Sequence, residues 1–164
     1  MRIRAMKPGD YPEAERIGKS LGHTKDGKGW FTERAWSRYI PFDIRIHRGF
    51  VAEDEGTVVG FITYSSYDTP ATSPYISWIA VSRKHQGKGA GRRLVRRAER
   101  ECLKAGAEFL WVETPTREAG RGTEYEGTYK FYERIGFELE RVISESDPGN
   151  GCDCDMAVLR KVLD

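Results

Sequence analysis

Hydrophobic and polar residues follow two different periods along this chain, and the change from one period to the other divides it into strands and helices. Alternation of apolar and polar positions predicts a first strand in residues 1–7. Six further segments alternate in the same way or form a short apolar run: 44–55, 57–66, 75–82, 108–114, 137–145 and 154–163. Apolar residues recur at helical spacing in 10–21, 31–40, 91–105 and 125–136. The pattern therefore predicts about seven strands and about four helices.

The order of these elements, β-α-α-β-β-β-α-β-α-β-β, is typical of an α/β domain in which helices pack on a mixed sheet. Glu55 and Gly56 separate the second and third strands and predict a hairpin turn. Gly136 follows the last helical segment and predicts a C-terminal glycine cap. Because the chain has 164 residues and neither a repeat nor a linker, we expect residues 1–164 to form a single domain.

Composition argues against several classes of protein. The 27 basic and 25 acidic residues leave a net charge of +2, which makes nucleic acid an unfavoured partner. No apolar run is long enough to span a membrane, and the N-terminal segment lacks the apolar region of an export signal. Three cysteines without framework spacing indicate reduced thiols and a cytoplasmic protein.

A glycine-rich stretch directly follows the apolar strand 75–82 and opens a basic helical segment. Its sequence is Gln86-Gly87-Lys88-Gly89-Ala90-Gly91. The first amides of a helix have no partner inside it and attract anions, and glycine lets a phosphate approach the backbone closely. The spacing matches neither Gly-x-x-x-x-Gly-Lys-Ser/Thr nor Gly-x-Gly-x-x-Gly, so both nucleotide-binding folds are disfavoured. On spacing alone, an ordinary strand-to-helix turn is an equal alternative.

Two motifs in this region resemble those of the GCN5-related N-acetyltransferase (GNAT) superfamily. Gln86-x-x-Gly89-x-Gly91, within WIAVSRKHQGKGAGRRLV, resembles the Gln/Arg-x-x-Gly-x-Gly/Ala motif. TYKFYERIGFE is similar to the second signature, a helix ending in Phe/Leu-Tyr-x-x-x-Gly-Phe. The motifs stand in the family's order with one strand between them, and the element order matches the family from end to end. The resemblance implies a GNAT-like fold, acetyl-CoA as co-substrate and acetylation of an amine.

The resemblance also implies which residues hold acetyl-CoA. The pyrophosphate would bind at Gln86, Gly87, Lys88, Gly89, Ala90, Gly91 and Arg92, and the pantetheine arm would pair with the backbone of Ile79, Ala80 and Val81. Tyr125 stands where the family often has a cofactor-contacting asparagine. Residues 83–104 include nine basic and two acidic side chains, and those beyond Arg93 are interpreted as a solvated face.

Acetyl transfer to an amine needs a neutral amine, a donor to the carbonyl oxygen and a proton for the departing thiolate. A phenol and a thiol have comparable pKa values, so a tyrosine can supply that proton. The resemblance implies this role for Tyr132, whose alternative is that of a half-buried helix residue. Glu113, at the end of the fifth strand, is the candidate base, and a surface carboxylate is its alternative. His23 is a second candidate base, because its loop borders the acceptor site in the family.

Cysteine chemistry is not expected to contribute to the reaction. Cys102 falls on the core face of its helix and is a poor candidate for a nucleophile, so the amine would attack directly, without a covalent enzyme intermediate. Cys152-x-Cys154 lacks the further ligands that zinc needs, and no metal site is expected.

Several alternatives stay open beside an N-acetyltransferase. The same fold could use a longer acyl-CoA, bind CoA without catalysis, or bind RNA or DNA through the basic helix. The acceptor could be a small-molecule amine or a protein or peptide amine, since the segments expected to line its site, 22–40, 69–75 and 120–127, favour no class. A homodimer is also open, because many members of the family dimerise.

Overall fold

The computed structural model describes residues 1–21, 48–65, 74–123 and 125–164. Its strands are β1 (Arg2–Ala5), β2 (Arg48–Asp54), β3 (Thr57–Ser65), β4 (Tyr75–Val81), β5 (Phe109–Pro115), β6 (Glu138–Ile143) and β7 (Met156–Val162). They form one seven-stranded sheet in the order β1-β2-β3-β4-β5-β7-β6. All neighbours run antiparallel except β4 and β5, which are parallel. The prediction of a mixed seven-stranded α/β sheet is confirmed.

Three α-helices lie within the described residues: α1 (Tyr11–Leu21), α2 (Ala90–Lys104) and α3 (Glu126–Arg134). This is one fewer than the sequence predicts, because the predicted helix at 31–40 falls outside the described residues. The hairpin turn between β2 and β3 is confirmed by positive φ angles at Glu55 and Gly56, and the end of α3 by a φ of 93° at Gly136.

Two hydrophobic clusters fix the helices on opposite faces of the sheet. On one face, Ala14 and Ile17 of α1 pack against Phe61 and Trp78. On the other face, α2 and α3 share a core, to which they contribute Leu94, Val95, Ala98, Cys102, Tyr129 and Tyr132. Burial raises the pKa of the Cys102 thiol to about 12, which leaves it protonated and unreactive at neutral pH.

Candidate active site

A wedge-shaped gap separates β4 from β5. Within the described residues these strands pair at one position, Tyr75 opposite Trp111, where the Trp111 N–H donates to the carbonyl of Pro74 at 2.9 Å. On their other sides β4 is paired with β3, and β5 with β7. The residues that follow Tyr75 and Trp111 therefore face each other with free backbone groups, and the gap opens toward the C-terminal ends of both strands.

A β-bulge in β4 contributes to this divergence. Thr63 of β3 pairs with Trp78, whereas the next residue, Tyr64, pairs with Ile76, so Ser77 is an extra residue in β4. A bulge bends the strand that carries it and increases its local twist. The bend comes just after the point where β4 and β5 pair. Beyond it, residues 79–81 line one edge of the gap with their backbone.

The glycine loop lies at the open end of the gap, because it follows the last residues of β4. Gly87 and Gly89 have φ angles of 73° and 82°, and nothing lies within 4 Å of a Cβ placed on either residue. Gly89 caps α2, and the Arg93 N–H donates to the Gly89 carbonyl at 3.1 Å to close the first turn. The amides at 90–92 precede this bond and have no acceptor inside the helix, so they are available to an anion.

Side chains hold the loop in place and leave positive charge beside it. The Nε2 of Gln86 donates to the carbonyl of Val81 at 3.0 Å, which ties the loop to the end of β4. A Cβ on Gly91 would lie 3.3 Å from the ring of Phe131, so this glycine allows α2 to approach α3 closely. Lys88 and Arg92 are exposed and have no ion-pair partner among the described residues. The loop therefore combines free amides with unpaired cations.

The helix α3 covers the gap from the face that carries α2. Phe131 meets the start of α2, and α3 also contacts β5. Tyr125, Tyr129 and Tyr132 are all buried, so the three tyrosines share the inward face of this segment, as their spacing predicts. The ring of Tyr132 packs edge-on against Phe131 and Phe137, with centroids 5.2 and 5.3 Å away.

The hydroxyl of Tyr132 is a buried donor that has no hydrogen-bond partner among the described residues. Burial raises the pKa of Tyr132 well above the ordinary value of a phenol, so the hydroxyl keeps its proton at neutral pH. A buried donor without an acceptor costs free energy in the folded state. Such a group is therefore a candidate for contact with a ligand.

Glu113 lies on the opposite face of the sheet from Tyr132. Side chains alternate along β5, and Val112 belongs to the core beneath α2 and α3, so the neighbouring Glu113 points to the α1 face. Glu113 is partly buried and has no ion-pair or hydrogen-bond partner among the described residues. Burial raises the pKa of the Cys152 thiol to about 12, with a smaller contribution from the charge of Glu113. The two candidate groups thus flank the gap from its two faces.

The sequence analysis overlooked two polar groups on β5. Thr114 Oγ1 and Trp111 Nε1 are buried and have no hydrogen-bond partner in the described part of the chain. Thr114 lies on the face of Val112, and Trp111 lies on the face of Glu113. In EFLWVET, Thr114 is in phase with the apolar Leu110 and Val112. A polar residue at a position where the alternation predicts burial was the signal that could have identified it.

Other expectations fall on different parts of the chain. His23 and the acceptor segment 22–40 lie outside the described residues, as do residues 69–73 of the second acceptor segment. Among the residues that the structure describes, no group of three or more His, Cys, Asp and Glu side chains could hold a metal ion. In that same part of the chain, no helix has the length and apolar character needed to cross a membrane.

Solved structures similar to this chain include several acetyltransferases. The smu.2055 protein from Streptococcus mutans has a TM-score of 0.77 and 20% identity, with 100% of both chains covered. The aminoglycoside 6'-N-acetyltransferase from Enterococcus faecium has a TM-score of 0.74 and 16% identity, with 100% of this chain and 98% of that chain covered. An aminoglycoside 6'-N-acetyltransferase solved with coenzyme A has a TM-score of 0.71 and 18% identity, with the same coverage. At these identities the likeness shows the fold.

Comparison at the level of sequence establishes the family. No curated protein matches the chain significantly. The model of the acetyltransferase (GNAT) family, however, matches residues 19–137, which include the glycine loop, α2, β5 and α3. The match covers most of the chain and both motifs that carried the resemblance. The chain belongs to the acetyltransferase (GNAT) family.

Proposed function

We propose that this chain is an N-acetyltransferase that transfers the acetyl group of acetyl-CoA directly to a primary amine. The gap between β4 and β5, with the glycine loop at its open end, is the observation that carries the proposal. A pantetheine arm is narrow and contains amides, so it can hydrogen-bond to the free edge of Ile79, Ala80 and Val81 as an added strand would. The amides at 87–92, together with Lys88 and Arg92, would bind the pyrophosphate.

The remaining proposed contact is made by Tyr125. It is buried at the start of α3, where its ring would border the pantetheine arm in place of the family's asparagine. The carbonyl oxygen of the thioester gains negative charge as the amine attacks. Unpaired backbone N–H groups on the β4 edge are suitable donors for this charge, because they are already fixed in the sheet.

The proposed reaction needs two proton transfers on opposite sides of the gap. The lone pair of the neutral amine attacks the thioester carbon, the C–N bond forms, and the C–S bond breaks with its electrons on sulfur. On the α3 side, Tyr132 donates its proton to the thiolate and regains one from solvent. On the α1 side, Glu113 accepts the proton that the amine loses, directly or through water. Burial also raises the pKa of a thiolate in the gap, so phenol and thiol remain matched.

The acceptor would enter from the α1 face, where Glu113 and Trp111 lie. The rings of Tyr75 and Trp111 stack there with centroids 6.1 Å apart and offer a flat apolar surface to its body. We propose a small-molecule amine in preference to a protein or peptide amine, because two of the similar structures are aminoglycoside acetyltransferases. We also propose a cytoplasmic location, since Cys102, Cys152 and Cys154 are all free thiols.

Calorimetric titration with acetyl-CoA tests the proposed function. We expect saturable one-to-one binding with a dissociation constant between about 1 μM and 1 mM. A panel of primary amines, assayed by release of the CoA thiol, should then identify acceptors. Absence of binding at millimolar acetyl-CoA would contradict the proposal. Binding without amine-dependent thiol release across the panel would instead favour a CoA-binding protein without catalysis, and tighter binding of a longer acyl-CoA would favour that donor.

Replacing Glu113 with glutamine tests the proposed base. We expect kcat/KM at neutral pH to fall about 10²-fold, because the amide cannot accept the proton of the attacking amine. The loss should shrink as the pH approaches the pKa of the acceptor amine, where the neutral amine is supplied by solvent. Glu108→Gln, an exposed carboxylate just before β5, is the matched control and should behave as wild type. An unchanged pH–rate profile in Glu113→Gln would refute this role.

A further inference from the structure

A groove lies between the first turns of α2 and the end of α3. It has a volume of about 360 Å³, and Arg92, Arg96 and Arg134 contribute its basic side chains together with Lys161. Arg92 and Arg96 are one helical turn apart, so their side chains are about 6 Å apart on one face of α2. Arg134 approaches from the last turn of α3, on the far side of the groove. Three guanidinium groups from two helices therefore converge on one space.

The acids near this groove are already paired with other cations. Glu99, which also lines it, accepts a hydrogen bond from Lys161 Nζ at 2.7 Å, so that pair is neutral. Glu133, beside Arg134 in sequence, is paired with Arg117. By contrast, Arg92, Arg96 and Arg134 have no ion-pair partner among the described residues. The groove therefore carries about three uncompensated positive charges, an arrangement that attracts a compact dianion.

The groove is also continuous with the glycine loop. Arg92 belongs both to the groove and to the first turn of α2, whose free amides would bind the pyrophosphate. Val95 and Ile135 contribute apolar surface beside the cations. In CoA, one ribose ring separates the pyrophosphate from a phosphomonoester at the 3′ position. A pyrophosphate on the loop would thus place the 3′-phosphate within reach of the groove.

We propose that this groove binds the 3′-phosphate of CoA, with Arg96 and Arg134 as its principal contacts. The inference rests on the proposed function, since it needs the pyrophosphate on the loop. It gives Arg96 a role that the sequence did not indicate, because the pattern of α2 alone places this residue on a solvated face. It also gives the protein a way to discriminate CoA from its dephosphorylated precursor.

Comparison of acetyl-CoA with 3′-dephospho-acetyl-CoA tests the proposal on the wild-type protein. We expect the dephosphorylated ligand to bind about tenfold more weakly, the effect of losing one or two charge-assisted hydrogen bonds. In the Arg96→Ala/Arg134→Ala double variant, acetyl-CoA should bind about as weakly as the dephosphorylated ligand does, and the difference between the two ligands should disappear. Arg100→Ala removes one charge from the same helix outside the groove and should preserve the difference.

The outcomes separate this inference from the proposed function. If neither ligand binds the wild-type protein, the proposed function fails and this inference fails with it. If both bind equally well, or if the difference survives in the double variant, only the 3′-phosphate assignment is overturned. Adenosine 3′,5′-bisphosphate provides a second measurement, because it should compete with acetyl-CoA. If it binds at the groove without competing, the groove is a separate phosphate site and the assignment is wrong.

Discussion

Substitution of Tyr132 by phenylalanine should lower kcat by about 10²–10³-fold with the best amine acceptor. The change removes one oxygen from a ring that packs tightly between Phe131 and Phe137, so the fold should be retained. The affinity for acetyl-CoA should stay within about twofold of wild type, because the hydroxyl is needed when the thiolate departs. Steady-state kinetics and calorimetric titration on the same preparation measure the two quantities.

The pH dependence of Tyr132 has a definite sign. Because burial raises the pKa of Tyr132, its protonated form should persist above the ordinary phenol pKa of about 10. Activity should therefore rise as the acceptor amine loses its proton, without a fall caused by tyrosine ionisation below that pH. Tyr64→Phe is the matched control, since Tyr64 is a buried tyrosine of β3 that stacks on Phe50. An equal loss of kcat in both variants would count against a specific role for Tyr132.

Glutamate at Gly89 should weaken acetyl-CoA binding by more than about 10²-fold. Two effects add at this position. A side chain at a φ of 82° is strained by about 1–2 kcal/mol. The new carboxylate would also stand at the free amides of α2 and repel the pyrophosphate. Calorimetric titration measures the affinity, and thermal unfolding reports the strain separately.

The other end of α2 offers a matched control for this substitution. Gly106 has a φ of 85° and open space around a Cβ, as Gly89 does, but it lies beyond the C-terminus of the helix. Gly106→Glu should lower stability by a comparable or larger amount, yet leave the affinity for acetyl-CoA unchanged. Gly89→Ala separates strain from charge and should bind with intermediate affinity. If Gly89→Glu bound acetyl-CoA like wild type, the pyrophosphate could not lie on this loop.

Local signals predicted the elements of this fold well. The strands and helices that can be compared begin and end within about two residues of their predicted bounds. Each of these elements has a period that its own residues set: alternation in β5, or the apolar stripe of α2 that includes Leu94 and Cys102. Turns were predictable for the same reason, because Gly56 and Gly136 adopt backbone conformations that other residues avoid.

Tertiary features of the site could not be predicted from these local patterns. β7 lies between β5 and β6, although it is the last strand in the sequence, because pairing across the sheet depends on contacts that no window contains. The bulge at Ser77 appears only when the register of β3 against β4 is known. The same holds for the groove, in which Arg96 and Arg134 come from different helices. The resemblance to the family, by contrast, indicated the loop and Tyr132 directly.

The single pairing between Tyr75 and Trp111 also affects the mechanics of the sheet. It joins a four-stranded half, β1 to β4, to a three-stranded half, β5, β7 and β6. A ligand that hydrogen-bonds along the gap would act as a splint between the halves, and at about a hundred times its dissociation constant it would add about 2.7 kcal/mol to the free energy of unfolding. Cohesion of the sheet and affinity for the ligand are then coupled. A substitution that sealed the halves together in the free protein would close the gap and weaken binding.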